Sequence, residues 1–159
     1  MSVAFTKETD LEATAADLPD RPISQHPNLV TPEGLAAIDA ALAEARAAYA
    51  AAQVAGGVES DRTAMARATR DLRYWSSRRA SAEMVERPRS LDTVAFGARV
   101  TFEREDGRRQ SYRIVGEDEA DPTKGSVSYV APLARALLGR SVGDVAQAPN
   151  GEVEVLAIE

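Results

Sequence analysis

At 159 residues the chain has room for one domain of ordinary size plus an extension, or for two small units, which excludes a large multidomain enzyme. Lysine and arginine total 19 against 25 acidic residues, a net charge of -6, so the broad basic face of a protein that grips nucleic acid is missing and direct specific DNA binding is not expected. The absence of cysteine removes disulfides, thiolate nucleophiles and cysteine-bound zinc.

The N-terminal stretch "MSVAFTKETDLE" lacks the basic segment and apolar core of a signal peptide, and no apolar run reaches membrane-spanning length. The protein is therefore expected to be soluble and cytoplasmic, without a membrane partner. Residues 1–30 are polar, acidic at first and then punctuated by Pro19, Pro22 and Pro27, which suits an irregular arm. That arm holds the single histidine, His26, in "RPISQHPN"; with no converging partner in the sequence it reads as an exposed loop residue.

Residues 31–88 form the second region. Thr31 suits a helix N-cap, Pro32 the first helical position, and the Ala- and Glu-rich run that follows has strong intrinsic helicity. Leu35, Ile38, Leu42, Ala45, Tyr49 and Ala52 recur at spacings of three and four, a seam narrow enough to want one partner helix. After Gly56-Gly57 a second seam runs through Met65, Ala68, Leu72 and Trp75 and, less cleanly, Arg79 and Ala82. Arms over about residues 32–54 and 61–86 are predicted to fold back as an antiparallel coiled-coil hairpin, each roughly 35 Å long. The same spacing fits a coiled coil between two chains.

Residues 89–159 read as a compact α+β unit. "TVAFGARVTFERE" alternates, Asp106-Gly107 makes a hairpin turn, and "RRQSYRIVGE" returns. "GSVSYVAP" is a further strand, "PLARALLG" a short helix with Pro132 at its start and Gly139 past its end, and "EVEVLAIE" the closing strand. Four or more antiparallel strands and one helix are predicted, with Val94, Val100, Phe102, Tyr112, Ile114, Val127, Val153 and Val155 building the core.

Two groups of acids invite a chemical reading. Glu117, Asp118, Glu119 and Asp121 crowd "VGEDEADP" without the ligand spacing of a calcium loop, which favours a solvated acidic loop or a surface for a basic partner. Glu59 and Asp61 sit between the helical arms in "GGVESDRT", where helix capping by Ser60 or Asp61 competes with a role inside another protein's cavity. No glycine-rich phosphate loop is present, and Arg67, Arg70, Arg73, Arg78 and Arg79 with Tyr74 and Trp75 read as decoration of an exposed helix face.

The stretches "VAFGARVTF", "SYRIVGEDEAD", "VSYVAPLARALLG" and "GDVAQAPNGEVEVLAIE" resemble, in order and spacing, the C-terminal domain of the GreA/GreB transcript-cleavage factors over about residues 92–159. The resemblance implies an FKBP-like domain behind a helical hairpin, and RNA polymerase as partner, with the domain docked at the rim of the secondary channel. It also implies an accessory factor, not an enzyme in its own right, whose tip acids help hold magnesium in the polymerase's own centre while a backtracked transcript is cut. Carried over by position, Glu59 and Asp61 are the candidate tip acids. Asp118, Glu119 and Asp121 with Val130, Ala131 and Pro132 are the candidate docking residues. No cofactor of the chain's own is implied. The tip departs from the family pattern: "GGVESDRTAM" does not end in Asn-Ala-Glu-Tyr. Three readings follow: a cleavage-stimulating elongation factor; a paralogue that occupies the same channel and regulates or inhibits the polymerase without cleavage; and a dimeric coiled-coil adaptor. The first two expect a monomer.

Overall fold

A computed structural model describes residues 18–55 and 62–159, and two compact units emerge from its contacts. The first combines residues up to 25 with residues 38–81; the second combines residues 26–37 with residues 82–159. In chain order the elements are strand β1 (Leu29–Val30), helix α1 (Pro32–Val54), helix α2 (Arg62–Ser81) and strand β2 (Glu83–Met84). Strands β3 (Arg99–Arg104), β4 (Arg109–Val115) and β5 (Ser126–Ser128) follow, then helix α3 (Pro132–Leu137) and strands β6 (Val145–Ala148) and β7 (Gly151–Ile158). None of the described helices is long and apolar enough to cross a membrane.

In the first unit the α1 seam is buried where the spacing placed it: Ile38, Leu42 and Ala45 are buried, Tyr49 and Ala52 half-buried. On α2, Ala68 is buried and Met65, Leu72 and Trp75 half-buried, but the seam then passes to Arg78, only 2% exposed, and leaves Arg79 at the surface. Arg79 donates to Asp39 at 2.5 Å, joining the end of α2 to the beginning of α1 as antiparallel arms require. Residues of the N-terminal arm lie along α2. The Arg21 guanidinium stacks 3.8 Å from the Tyr74 ring centroid and 5.4 Å from that of Trp75, and pairs with Asp71 at 3.5 Å. Asp20 accepts from Arg73 at 3.2 Å. Cation–π contact with two rings is what makes one arginine an anchor for an otherwise irregular strap.

In the second unit, five strands run in the order β5-β4-β3-β7-β6. β3 and β4 form the hairpin expected at Asp106-Gly107, where Gly107 takes φ +83° and the Asp106 carboxylate accepts from the Arg108 amide at 3.0 Å. Against β7 the register of β3 shifts between Thr101 and Phe102, so one extra residue on β7 resets which side chains face inward. Val153 and Val155 are therefore joined in the core by Ile158, not by Ala157. Ala134 and Leu137 of α3, three apart on one face, are also fully buried against this sheet core. Of the predicted core only Tyr112 stays partly exposed, stacked on Phe102 with 6.1 Å between centroids.

The sheet is mixed, which corrects the expectation of antiparallel strands throughout: β5 pairs with β4 in parallel, Ile114 opposite Val127. A parallel partner needs a crossover, and residues 116–125 supply a short one that includes a 3-10 turn at Pro122–Lys124. A second departure lies at the start of the unit. Residues 28–30, at the end of the segment expected to be irregular, are ordered by parallel pairing of β1 with β2: the Glu83 amide donates to the Asn28 carbonyl at 2.9 Å and the Val85 amide to the Val30 carbonyl at 2.8 Å. Asn28, Val30 and Thr31 are buried. The β6 segment, not read as a strand in the sequence, pairs with β7 across a turn in which Asn150 takes φ 70°.

Candidate functional site

Glu59 and Asp61, the candidate tip acids, lie outside the described residues. The remaining candidates sit at one end of the sheet, and the parallel β4–β5 pair is the reason. Both strands run the same way, so the loops after Val115 and after Ser128 leave the sheet side by side, tied by the Tyr129 amide donating to the Val115 carbonyl at 2.9 Å. The acidic turn with Asp118, Glu119 and Asp121 is thereby placed next to Val130, Ala131 and Pro132, which an antiparallel return would have sent to the opposite end.

The acids of this turn do different work. Glu119 accepts a 2.6 Å hydrogen bond from the Thr31 hydroxyl, whose oxygen in turn accepts from the Gly34 amide at 2.9 Å. Thr31 is thus the N-cap of α1, as its sequence position suggested, and Glu119 extends the cap into a relay that places a carboxylate at the positive end of the helix. Gly34 leaves room for this carboxylate: a Cβ there would lie 2.6 Å from the Glu119 Oε2 and push that carboxylate aside. Gly116 has a tighter place, since its Cβ would fall 2.3 Å from the Leu29 carbonyl oxygen, a backbone atom. Asp121 caps the 3-10 turn, accepting from the Thr123 hydroxyl at 2.5 Å and the Thr123 amide at 3.1 Å. The Thr123 hydroxyl, with smaller help from the amide and from Lys124, holds the Asp121 carboxyl below its usual range despite some desolvation. Asp118 is half-buried in the same turn.

The second loop is a tight backbone turn. The Ala131 amide donates to the Ser128 carbonyl at 3.0 Å, the Val130 amide to the Ser128 hydroxyl at 3.2 Å, and Ala131 in extended conformation starts α3 with Pro132 at its first position. Val130 and Ala131 are half-buried and Pro132 is exposed. Beside them the Tyr129 ring packs edge-on against Phe96, centroids 5.6 Å apart, and its hydroxyl donates to the Pro27 carbonyl. Among the described residues no group of three or more His, Asp and Glu side chains could hold a metal ion. What this end of the sheet offers is an acidic turn held by hydrogen bonds beside a small apolar ledge.

Glu33, in the first turn of α1, is held below the ordinary carboxylate range, first by a hydrogen bond to its own backbone amide and then by the charge of Arg113, whose terminal nitrogen lies 3.4 Å away. Neither this pair nor the Thr31–Glu119 bond was visible in the sequence, because their partners are separated by 80 and 88 positions. Buried Arg78 and the Arg21 anchor were missed for the same reason.

An α+β domain whose two end loops lie side by side is the class the geometry defines. Residues 88–159 match the family model described as transcription elongation factor, GreA/GreB, C-term. The chain is 40% identical over 101 residues to transcription elongation factor GreA of Desulfovibrio desulfuricans, covering 61% of this chain and 62% of that protein. It is 49% identical over 79 residues to GreA of Anaeromyxobacter sp. (strain K), covering 47% and 48%. The crystal structure of GreA factor homolog 1 of Thermus thermophilus aligns over 84% of this chain and 99% of that one at 23% identity, with a TM-score of 0.40. Over residues 88–159 the chain is thus similar to the C-terminal domain of the GreA/GreB transcription elongation factors. It spans about half the length of the curated relatives it matches.

Proposed function

We propose that the chain is an RNA polymerase-binding elongation factor that docks through the end of its sheet at the rim of the secondary channel and stimulates the polymerase's own cleavage of backtracked transcripts. The observation that carries this reading is the match of residues 88–159 to the GreA/GreB C-terminal domain, combined with the pairing of β4 and β5 that sets Asp118, Glu119 and Asp121 beside Val130, Ala131 and Pro132. Within that surface Glu119 and Asp121 shape the turn through their bonds to Thr31 and Thr123, and the Val130–Pro132 ledge is presented beside it. The two helical arms would deliver Glu59 and Asp61 to the polymerase centre, where magnesium is supplied by the polymerase. In this reading the chain is an accessory factor of the cytoplasm, without a cofactor of its own, and acts as a monomer.

A second reading is favoured by one specific feature, the tip sequence "GGVESDRTAM", which lacks the Asn-Ala-Glu-Tyr ending of the cleavage factors. Under it the chain occupies the same channel and regulates the polymerase without cleavage. Stalled, backtracked polymerase complexes with labelled transcript and magnesium separate the two. Cleavage stimulated by the wild type and lost in Glu59→Ala/Asp61→Ala supports the first; binding without cleavage supports the second; no binding to polymerase refutes both.

A further inference from the structure

The second unit holds a cleft whose charge is not balanced by its own residues. It encloses about 280 Å³ and is lined by Pro32, Glu33, Arg87, Gly97, Arg99 and Arg113. Three arginines against one glutamate leave two positive charges there, in a chain whose net charge is -6. Arg113 is committed on one side: its Nε donates to the Gly97 carbonyl at 3.2 Å, and a terminal nitrogen lies 3.4 Å from the Glu33 carboxylate. By contrast, the Arg87 and Arg99 side chains have no hydrogen bond or ion pair among the described residues. Arg87 is exposed and Arg99 half-buried, so both guanidinium groups are open to an anion that enters the cleft. The first turn of α1, already capped by Thr31, brings Pro32 and Glu33 to the cleft.

We propose that this cleft binds a phosphoryl anion of phosphate to pyrophosphate size, held by Arg87, Arg99 and Arg113. Planar guanidinium forks match phosphoryl oxygens in pairs, and several such groups around one cleft give both charge and geometry. Its volume lies just under the roughly 300–1,000 Å³ of pockets that enclose drug-sized ligands, so the phosphoryl group is inside and any attached group is outside. Glu33 competes with the anion for Arg113. The proposal does not rest on the polymerase reading.

The test is titration of the full-length chain with inorganic pyrophosphate, followed by amide chemical shifts and by calorimetry. Wild type is expected to saturate, with the shifts centred on Gly97, Arg99 and Arg113. Arg99→Ala and, separately, Arg87→Ala should weaken binding at least tenfold, and Glu33→Gln should strengthen it several-fold by removing the competing carboxylate. Arg108→Ala, at the exposed β3–β4 turn, should bind as wild type does. A nucleoside diphosphate that binds as tightly as pyrophosphate marks a site for the phosphoryl group alone; tighter binding marks it as the phosphate end of a larger ligand, and both support the proposal. Failure to saturate at millimolar pyrophosphate, equal weakening by Arg99→Ala and Arg108→Ala, or tighter binding of a Glu-rich peptide than of pyrophosphate would overturn it.

Discussion

Thr31→Val is the sharpest test of how the acidic turn is held. The substitution keeps the volume of a side chain that is 1% exposed and removes only its hydroxyl, leaving the Gly34 amide without its cap and the Glu119 carboxylate without its 2.6 Å donor. Loss of an N-cap costs about 1 kcal/mol. A hydrogen bond to a charged group contributes about 1.5–3 kcal/mol, the lower end applying here because Glu119 is only half-buried. The two effects share one oxygen and do not simply add, so the expected loss is about 2 kcal/mol, near thirtyfold in the folding equilibrium. For a unit of this size that corresponds to a fall of about 8–16 °C in Tm. Denaturant unfolding followed by circular dichroism, with Glu119→Ala and the double variant completing a mutant cycle, should show a coupling of at least about 1 kcal/mol. A Thr31→Val protein within about 0.5 kcal/mol of wild type, or strict additivity with Glu119→Ala, would refute the relay.

Gly116→Ala drives a methyl into the Leu29 carbonyl at 2.3 Å, and overpacking of this kind should cost about 1–3 kcal/mol and speed amide exchange at Glu83 and Val85, which pair with the displaced segment. Arg21→Ala removes the guanidinium from the Tyr74 and Trp75 rings; the emission of Trp75, the single tryptophan, should shift while stability falls by no more than about 1 kcal/mol, and unchanged emission would mean that the strap does not hold in solution. Glu33 has a folded-state pKa below its ordinary value of 4.5, so its contribution is present above that pH and disappears as pH falls through the depressed value. Glu33→Gln should therefore lower stability at neutral pH, by under about 1 kcal/mol because the pair is exposed, and leave it unchanged in strong acid.

The sequence by itself determined the elements whose causes are local. Period-three-and-four spacing placed Ile38, Leu42 and Ala45 on one buried face, alternation placed Val100, Phe102, Ile114, Val153 and Val155 inside, and Asp106-Gly107, Thr31 and Pro132 marked a turn and two helix starts through their own backbone preferences. Tertiary structure decided what depends on partners far along the chain. Helix α2 stops at Ser81, five residues before its helical sequence signal ends, because Glu83 and Val85 give their amides to the carbonyls of Asn28 and Val30. The seam turns from Arg79 to Arg78 because Asp39 takes Arg79 outward. The same distinction governs the candidate site: its residues could be picked from motifs, but whether the two loops meet depends on β5 joining β4 in parallel, a pairing that residue alternation cannot encode, since a strand presents the same faces whichever way it runs.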